Sequence, residues 1–121
     1  MINHMIIAIL KIFPRKEKRL EALDVLLSVK GPVLAEPGCL CCCLYDEHGE
    51  GPGILYMEQW RSLAELEQHI KNNSYLRILE AMELSSKPPE ISFHETGRKW
   101  GFDLIEKVRT SDNQNQQEDI A

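Results

Sequence analysis

His69 is the side chain in this sequence best suited to move a proton near neutral pH. At 100° per residue it lies about 90° from the centre of the helical stripe formed by Leu63, Leu66 and Ile70. That is the border between core and solvent. An imidazole there either meets a ligand in a pocket or packs its ring and wets its tip. Tyr56, Glu58 and Trp60 alternate along one face of the extended run that precedes it. Glu58 is thus a carboxylate between two aromatics, fit for proton transfer if desolvated and for a salt bridge if not. Cys39, Cys41, Cys42 and Cys43 crowd into one strand. A disulfide framework spreads its cysteines, and neighbours on a strand point to opposite faces, so the run cannot converge on a metal as a whole. It reads as reduced thiols packed as small hydrophobes, with no metal site. His4 lies near a terminus and His48 in a turn, both exposed, and His94 faces away from Phe93.

Several familiar chemistries leave signatures that this sequence lacks. There is no G-x-G-x-x-G, no Walker loop, no H-E-x-x-H and no G-x-S-x-G, so neither a nucleotide cofactor nor a common hydrolase mechanism is indicated. Fourteen Lys and Arg against 19 Asp and Glu give a net charge of −5, the wrong sign for a nucleic-acid binder. No apolar run reaches the roughly 18 residues of a membrane span. Met1–Phe13 is apolar but has no basic flank and no small-residue cleavage site, so it does not read as a signal peptide. A cytoplasmic protein with no nucleic-acid or membrane partner is expected.

The 121 residues, 43% of them hydrophobic, suffice for one domain with its own core. Met5–Phe13 is β-branched and continuously apolar, a strand covered on both faces and stopped by Pro14. Arg15–Lys30 is a helix whose stripe is Leu20, Leu23 and Leu27, widened by Ala22, Leu26 and Val29, and Gly31–Pro32 end it. Cys39–Tyr45 and Ile54–Trp60 are strands joined through a turn cluster of Gly49, Gly51, Pro52 and Gly53. Ser62 opens a second helix through an S-x-x-E capping box with Glu65. Asn72–Ser74 interrupts that helix, and Ser74 caps a short continuation lined by Tyr75, Ile78, Leu79 and Met82. Pro89–Thr96 is the fourth strand, alternating Ile91 and Phe93 against Ser92 and His94.

The order β-α-β-β-α-β is that of a ferredoxin-like α+β unit, an antiparallel sheet with its helices on one face. Strands apolar on both faces need a second cover. Another copy packed sheet to sheet supplies it, which predicts a homodimer. Residues 1–97 form this domain, 98–109 an extra strand or arm toward the partner, and 110–121 a polar tail rich in Asn and Gln.

The stretch from Glu58 to His69 resembles the E-x-W-x-S-x-x-x-L-x-x-H segment of the antibiotic-biosynthesis-monooxygenase (ABM) family, and Glu36-Pro37-Gly38-Cys39-Leu40 resembles the E-P-G-C-L that opens its second strand. The resemblance spans roughly residues 5 to 96 and implies a dimeric α+β barrel of ferredoxin-like protomers. Members include small cofactor-free oxygenases of quinols and polyketide phenols, and haem degraders. The haem degraders use an Asn, a Trp and a His. The corresponding positions here are Leu10, His69 and Leu79, and none matches. The quinol-monooxygenase-like branch has a histidine at the His69 position, which this sequence keeps. Departures are Cys41 and Cys43, where polar residues are common, and the C-terminal extension.

The resemblance therefore implies a dimeric monooxygenase without cofactor or metal, acting on a small phenolic or quinol-like molecule with O2. Such a substrate reduces oxygen itself once deprotonated, so the protein needs a dry pocket, a proton acceptor and shape. In that scheme His69 is the catalytic acceptor or an orienting partner; as a base it is expected to be largely neutral near pH 7, since a half-buried imidazole away from carboxylates is disfavoured as a cation. Its replacement by Ala is expected to leave the fold intact. Glu58 holds the histidine or the substrate hydroxyl, and Trp60, Tyr75 and Tyr56 form the walls of the substrate site. The alternatives are a non-catalytic small-molecule-binding or sensing dimer of the same fold, and thiol-based redox sensing through Cys39–Cys43.

Overall fold

Alternation of buried and half-buried residues marks the two central strands of the sheet. In β1 (Met5–Ile12), Ile6, Ala8, Leu10 and Ile12 are buried, and in β3 (Ile54–Trp60), Ile54, Tyr56, Glu58 and Trp60 are. The residues between them are half-buried on the opposite, open face. The expectation of strands covered on both faces therefore holds for one face only within a single chain. The computed structural model describes residues 4–49 and 53–120, with 112–120 as backbone; Gly51 and Pro52 of the expected turn lie outside the described residues.

Between the two strands run α1 (Arg19–Leu34) and β2 (Cys39–Asp46). After β3 come α2 (Leu63–Lys71), α3 (Tyr75–Glu83), β4 (Glu90–Thr96) and α4 (Phe102–Ile120). The sheet order is β2-β3-β1-β4 with every neighbouring pair antiparallel, the α+β ferredoxin-like arrangement. The register lines up Cys42, Glu58, Ala8 and Phe93 in one row across the sheet, and Leu44, Tyr56, Leu10 and Ile91 in the next. No helix among the described residues is long and apolar enough to cross a membrane.

The helices depart from the expected stripes. In α1 the buried residues are Ala22, Leu26, Val29 and Val33, while Leu20 and Leu27 are exposed. Leucines on several faces made the periodicity ambiguous. The helix also continues through Gly31 and Pro32, because a proline in the last turn withdraws only one intrahelical bond, at the carbonyl of Ser28. In α2 the buried pair is Leu66 and His69, and Leu63 and Ile70 are exposed. Ser62 caps α2 as expected, accepting the Glu65 N–H at 3.2 Å, while its hydroxyl donates to the Glu65 carboxylate at 2.9 Å, so Glu65 holds the Ser62 side chain where the full capping box would have it accept the Ser62 backbone N–H. Ser74 makes no side-chain cap. Most of the segment expected as a strand or arm and a polar tail is one helix, α4, whose described side chains are all exposed.

Candidate functional site

Glu58 projects from β3 onto the helix-covered face, where water is excluded and its oxygens need protein partners. They find them. Oε1 accepts the Trp60 indole N–H at 2.9 Å, and Oε2 accepts the Tyr56 hydroxyl at 2.5 Å and faces His69 Nε2 at 3.0 Å. Strand alternation supplies the first two partners from positions two residues to either side. Helix α2 supplies the third. On its far side, His69 Nδ1 meets Glu36 Oε2 at 2.8 Å, and the other Glu36 oxygen accepts from the Asn72 amide. His69 is 1% exposed, stacked on Trp60 at 4.6 Å between ring centroids and edge-on to Tyr75 at 5.2 Å.

Two carboxylates, one on each ring nitrogen, fix the protonation state of His69. A carboxylate oxygen can only accept, so both nitrogens donate and the ring is an imidazolium. Burial pushes its pKa down, but the hydrogen bonds and charges of Glu58 and Glu36 push it up by more, and the net shift is upward. This corrects two expectations. The imidazole is not a border residue but fully buried, and it lies between carboxylates rather than away from them, so its charged form is favoured. Hydropathy alone makes an inward imidazole costly; its ion partners cancel that cost and turn α2 so that His69 points inward. Replacing it by Ala would leave the buried Glu58 and the partly buried Glu36 without a counter-charge, so a cost in stability is now expected.

Glu36 reaches His69 from the turn between α1 and β2. Gly38 makes that turn possible: its φ is +85°, and a Cβ there would fall on the Glu65 carboxyl group. The Gly38 carbonyl also accepts the Arg61 N–H at 2.8 Å, tying the turn to the end of β3. Glu36 and Asn72 were not among the candidate residues. Glu36 stood in the E-P-G-C-L run, and Asn72 follows His69 at i+3 on the same helical face. Only the fold shows that the two meet.

The site has two openings. On the inner side, Glu58, Tyr56 and Tyr75 line an apolar cavity with Leu10, Ile78 and Phe93. Ala8 stands opposite both Glu58 and Phe93, and its small side chain leaves the space. That space is about 10 Å³, room for one water molecule at most. On the outer side, Glu36, His69 and Asn72 line a groove of about 150 Å³. The structure thus brings Tyr56, Glu58 and Tyr75 to the cavity and places His69 and Trp60 behind them. Burial and the Glu58 charge hold the Tyr75 hydroxyl above its usual pKa; burial, Glu58 and Cys42 do the same for Tyr56.

The cysteine run splits between the faces. Cys42 is buried and donates its S–H to the Tyr56 oxygen at 3.3 Å, with burial pushing its pKa up to about 11. Cys41 and Cys43 share the open face, their sulfurs hydrogen-bonded at 3.1 Å and not joined as a disulfide. Among the described residues no three His, Cys, Asp or Glu side chains converge as a metal site would require. His4, His48 and His94 are exposed and away from the site.

The antibiotic biosynthesis monooxygenase family matches residues 5–81, which include every hydrogen-bonding member of this cluster. The chain belongs to that family. An uncharacterized protein of Synechocystis sp. is 29% identical over 87 residues, 71% of this chain. The chain spans 58% of that relative's length. Among solved structures, Rv0793 of Mycobacterium tuberculosis superposes with a TM-score of 0.72 at 24% identity, over 80% of this chain and 99% of its own. A conserved protein of Methanosarcina mazei Go1 gives 0.70 at 25% identity, over 76% and 92%. The likeness to these structures supports the ferredoxin-like fold of this family member.

Proposed function

We propose that this ABM-family protein is a cofactor-independent monooxygenase acting on a small phenolic or quinol-like molecule with O2, as a homodimer. The observation that supports the reading most is Glu58, a desolvated carboxylate on the wall of an apolar cavity, backed by an imidazolium that Glu36 balances. A neutral phenol in the cavity gives its hydroxyl proton to Glu58, and the Tyr56 hydroxyl, held protonated by burial, then turns its single O–H from Glu58 to the phenolate. The deprotonated ring adds O2 at carbon as a hydroperoxide, which then loses water. The substrate supplies all the electrons; one oxygen atom stays on the ring and the other leaves in the water. His69 touches Glu58 rather than the cavity, so it acts as a positioning residue and charge partner, not as the group that meets substrate.

Two carboxylates and one imidazolium leave the cluster with one negative charge, which favours a neutral aromatic over an acidic one. A ring enters by displacing Phe93, which is 46% exposed on the edge strand β4. Trp60 fixes Glu58, and Tyr75 forms a wall. The half-buried apolar residues of the open sheet face pack against the same face of a second copy. The cytoplasm is the compartment this reading assigns, where the adjacent thiols of Cys41 and Cys43 stay reduced.

One observation favours a second reading, a non-catalytic binding or sensing dimer. The oxygens of Glu58 are already engaged by three donors and the cavity is nearly closed. Oxygen consumption with a panel of hydroquinones separates the two. The oxygenase reading expects uptake by the wild type and a loss on the order of 10²-fold in Glu58→Gln. Hydroquinone binding with no uptake would leave the sensing dimer.

A further inference from the structure

Glu36 is a carboxylate that the reaction proposed above does not use. It lies across the imidazole from the cavity, its side chain 13% exposed, and it lines the outer groove with Asn72 and Gln68. The chain from inside to outside is continuous: Tyr56 hydroxyl to Glu58 at 2.5 Å, Glu58 to His69 Nε2 at 3.0 Å, and His69 Nδ1 to Glu36 at 2.8 Å. Each link is short enough for a proton to pass. The imidazolium side chain has no solvent exposure of its own, so a proton leaving Nδ1 meets Glu36 first.

We propose that Glu36 is the proton outlet of the buried site, carrying protons between His69 Nδ1 and water in the outer groove. The catalytic consequence rests on the oxygenase reading. When Glu58 takes a proton from the substrate, it loses the charge that paired with the imidazolium. His69 then releases its Nδ1 proton to Glu36, and Glu36 passes it to the groove. One proton enters from the cavity and one leaves at the surface, so the net charge of the buried cluster does not change. The reverse sequence resets the site when product takes its proton back from Glu58. Charge constancy matters here because an added or missing charge in a water-excluded site is expensive. The groups that face His69 are Glu58 from β3, Tyr75 from α3 and Glu36 from the turn, with Tyr56 and Cys39 one step removed.

Nitrogen-15 labelling of histidine reads this without any substrate, as the exchange of the two His69 ring N–H protons with water. In the wild type the Nδ1 proton should exchange at least about 10-fold faster than the Nε2 proton, since only Nδ1 abuts the outlet. Glu36→Gln keeps an amide oxygen as acceptor but cannot shuttle a proton. It should slow Nδ1 exchange about 10-fold and lower the His69 titration midpoint by about one pH unit. Equal exchange at the two nitrogens, or an unchanged rate in Glu36→Gln, would overturn the proposal. Should Glu36→Gln fold poorly, the wild-type order of exchange still decides. Failure of hydroquinone oxidation would strike the oxygenase reading alone, because the exchange measurement uses neither O2 nor substrate.

Discussion

An imidazolium wedged between two carboxylates makes stability depend on pH in a fixed direction. The pKa of His69 is raised above its ordinary value in the folded chain. Its contribution to stability is therefore complete below about pH 6.5, the ordinary histidine value, and is lost as pH rises through the folded value. The wild-type melting temperature should fall as pH rises above about 6.5, and His69→Gln should flatten that slope. Parallel curves for the two proteins would contradict it. His69→Ala should cost about 3–5 kcal/mol in a denaturant melt, because it strands Glu58 and Glu36 with no cation between them. At this scale the sequence showed which residue types mattered: Tyr56, Glu58, Trp60, His69 and Tyr75 do gather. It could not show protonation. That depends on Glu36, which lies 33 residues away from His69 along the chain.

At the scale of elements, the turn that carries Glu36 matters as much as the helix that carries His69. Gly38 adopts a backbone conformation that disfavours a side chain, and the Glu65 carboxyl group fills the place of its Cβ. Gly38→Ala should destabilise the chain by about 1–3 kcal/mol and move Glu36 away from His69, lowering the His69 midpoint in an NMR titration. An unchanged midpoint would show that the turn does not position Glu36. Ser62→Ala should cost about 1 kcal/mol through loss of the α2 cap. Element order, the break between α2 and α3 and the Ser62 cap were legible because turn residues and capping pairs act locally. The faces of α1 and α2 were not. Ala22, Leu26 and Val29, read as widening the α1 stripe, are its buried centre, whereas Leu20 and Leu27 fall outside it, and in α2 His69 is buried in place of Ile70, because burial is decided by what lies across the interface rather than by the helix's own hydropathy.

Across the whole molecule, the half-buried open face of the sheet and the exposed helix α4 set two expectations. Light scattering at micromolar concentration should give a mass near twice 13.9 kDa; a monomer mass would remove the proposed sheet-to-sheet dimer. The described side chains from Gly97 onward are exposed, and α4 lies beyond the residues that the family matches. Truncation after Arg98 should therefore change the melting free energy of the domain by less than about 1 kcal/mol. The fold class followed from element order alone, whereas α4 escaped notice because its polar second half carries no apolar period. The central claim is that the Glu58 cavity lets a phenolic substrate reduce O2 without a cofactor. Oxygen-18 gas with purified protein and a hydroquinone tests it most directly. The account predicts one labelled atom in the product and one in water, with the yield falling on the order of 10²-fold in Glu58→Gln. Unlabelled product, or labelled product formed equally well by Glu58→Gln, would contradict it.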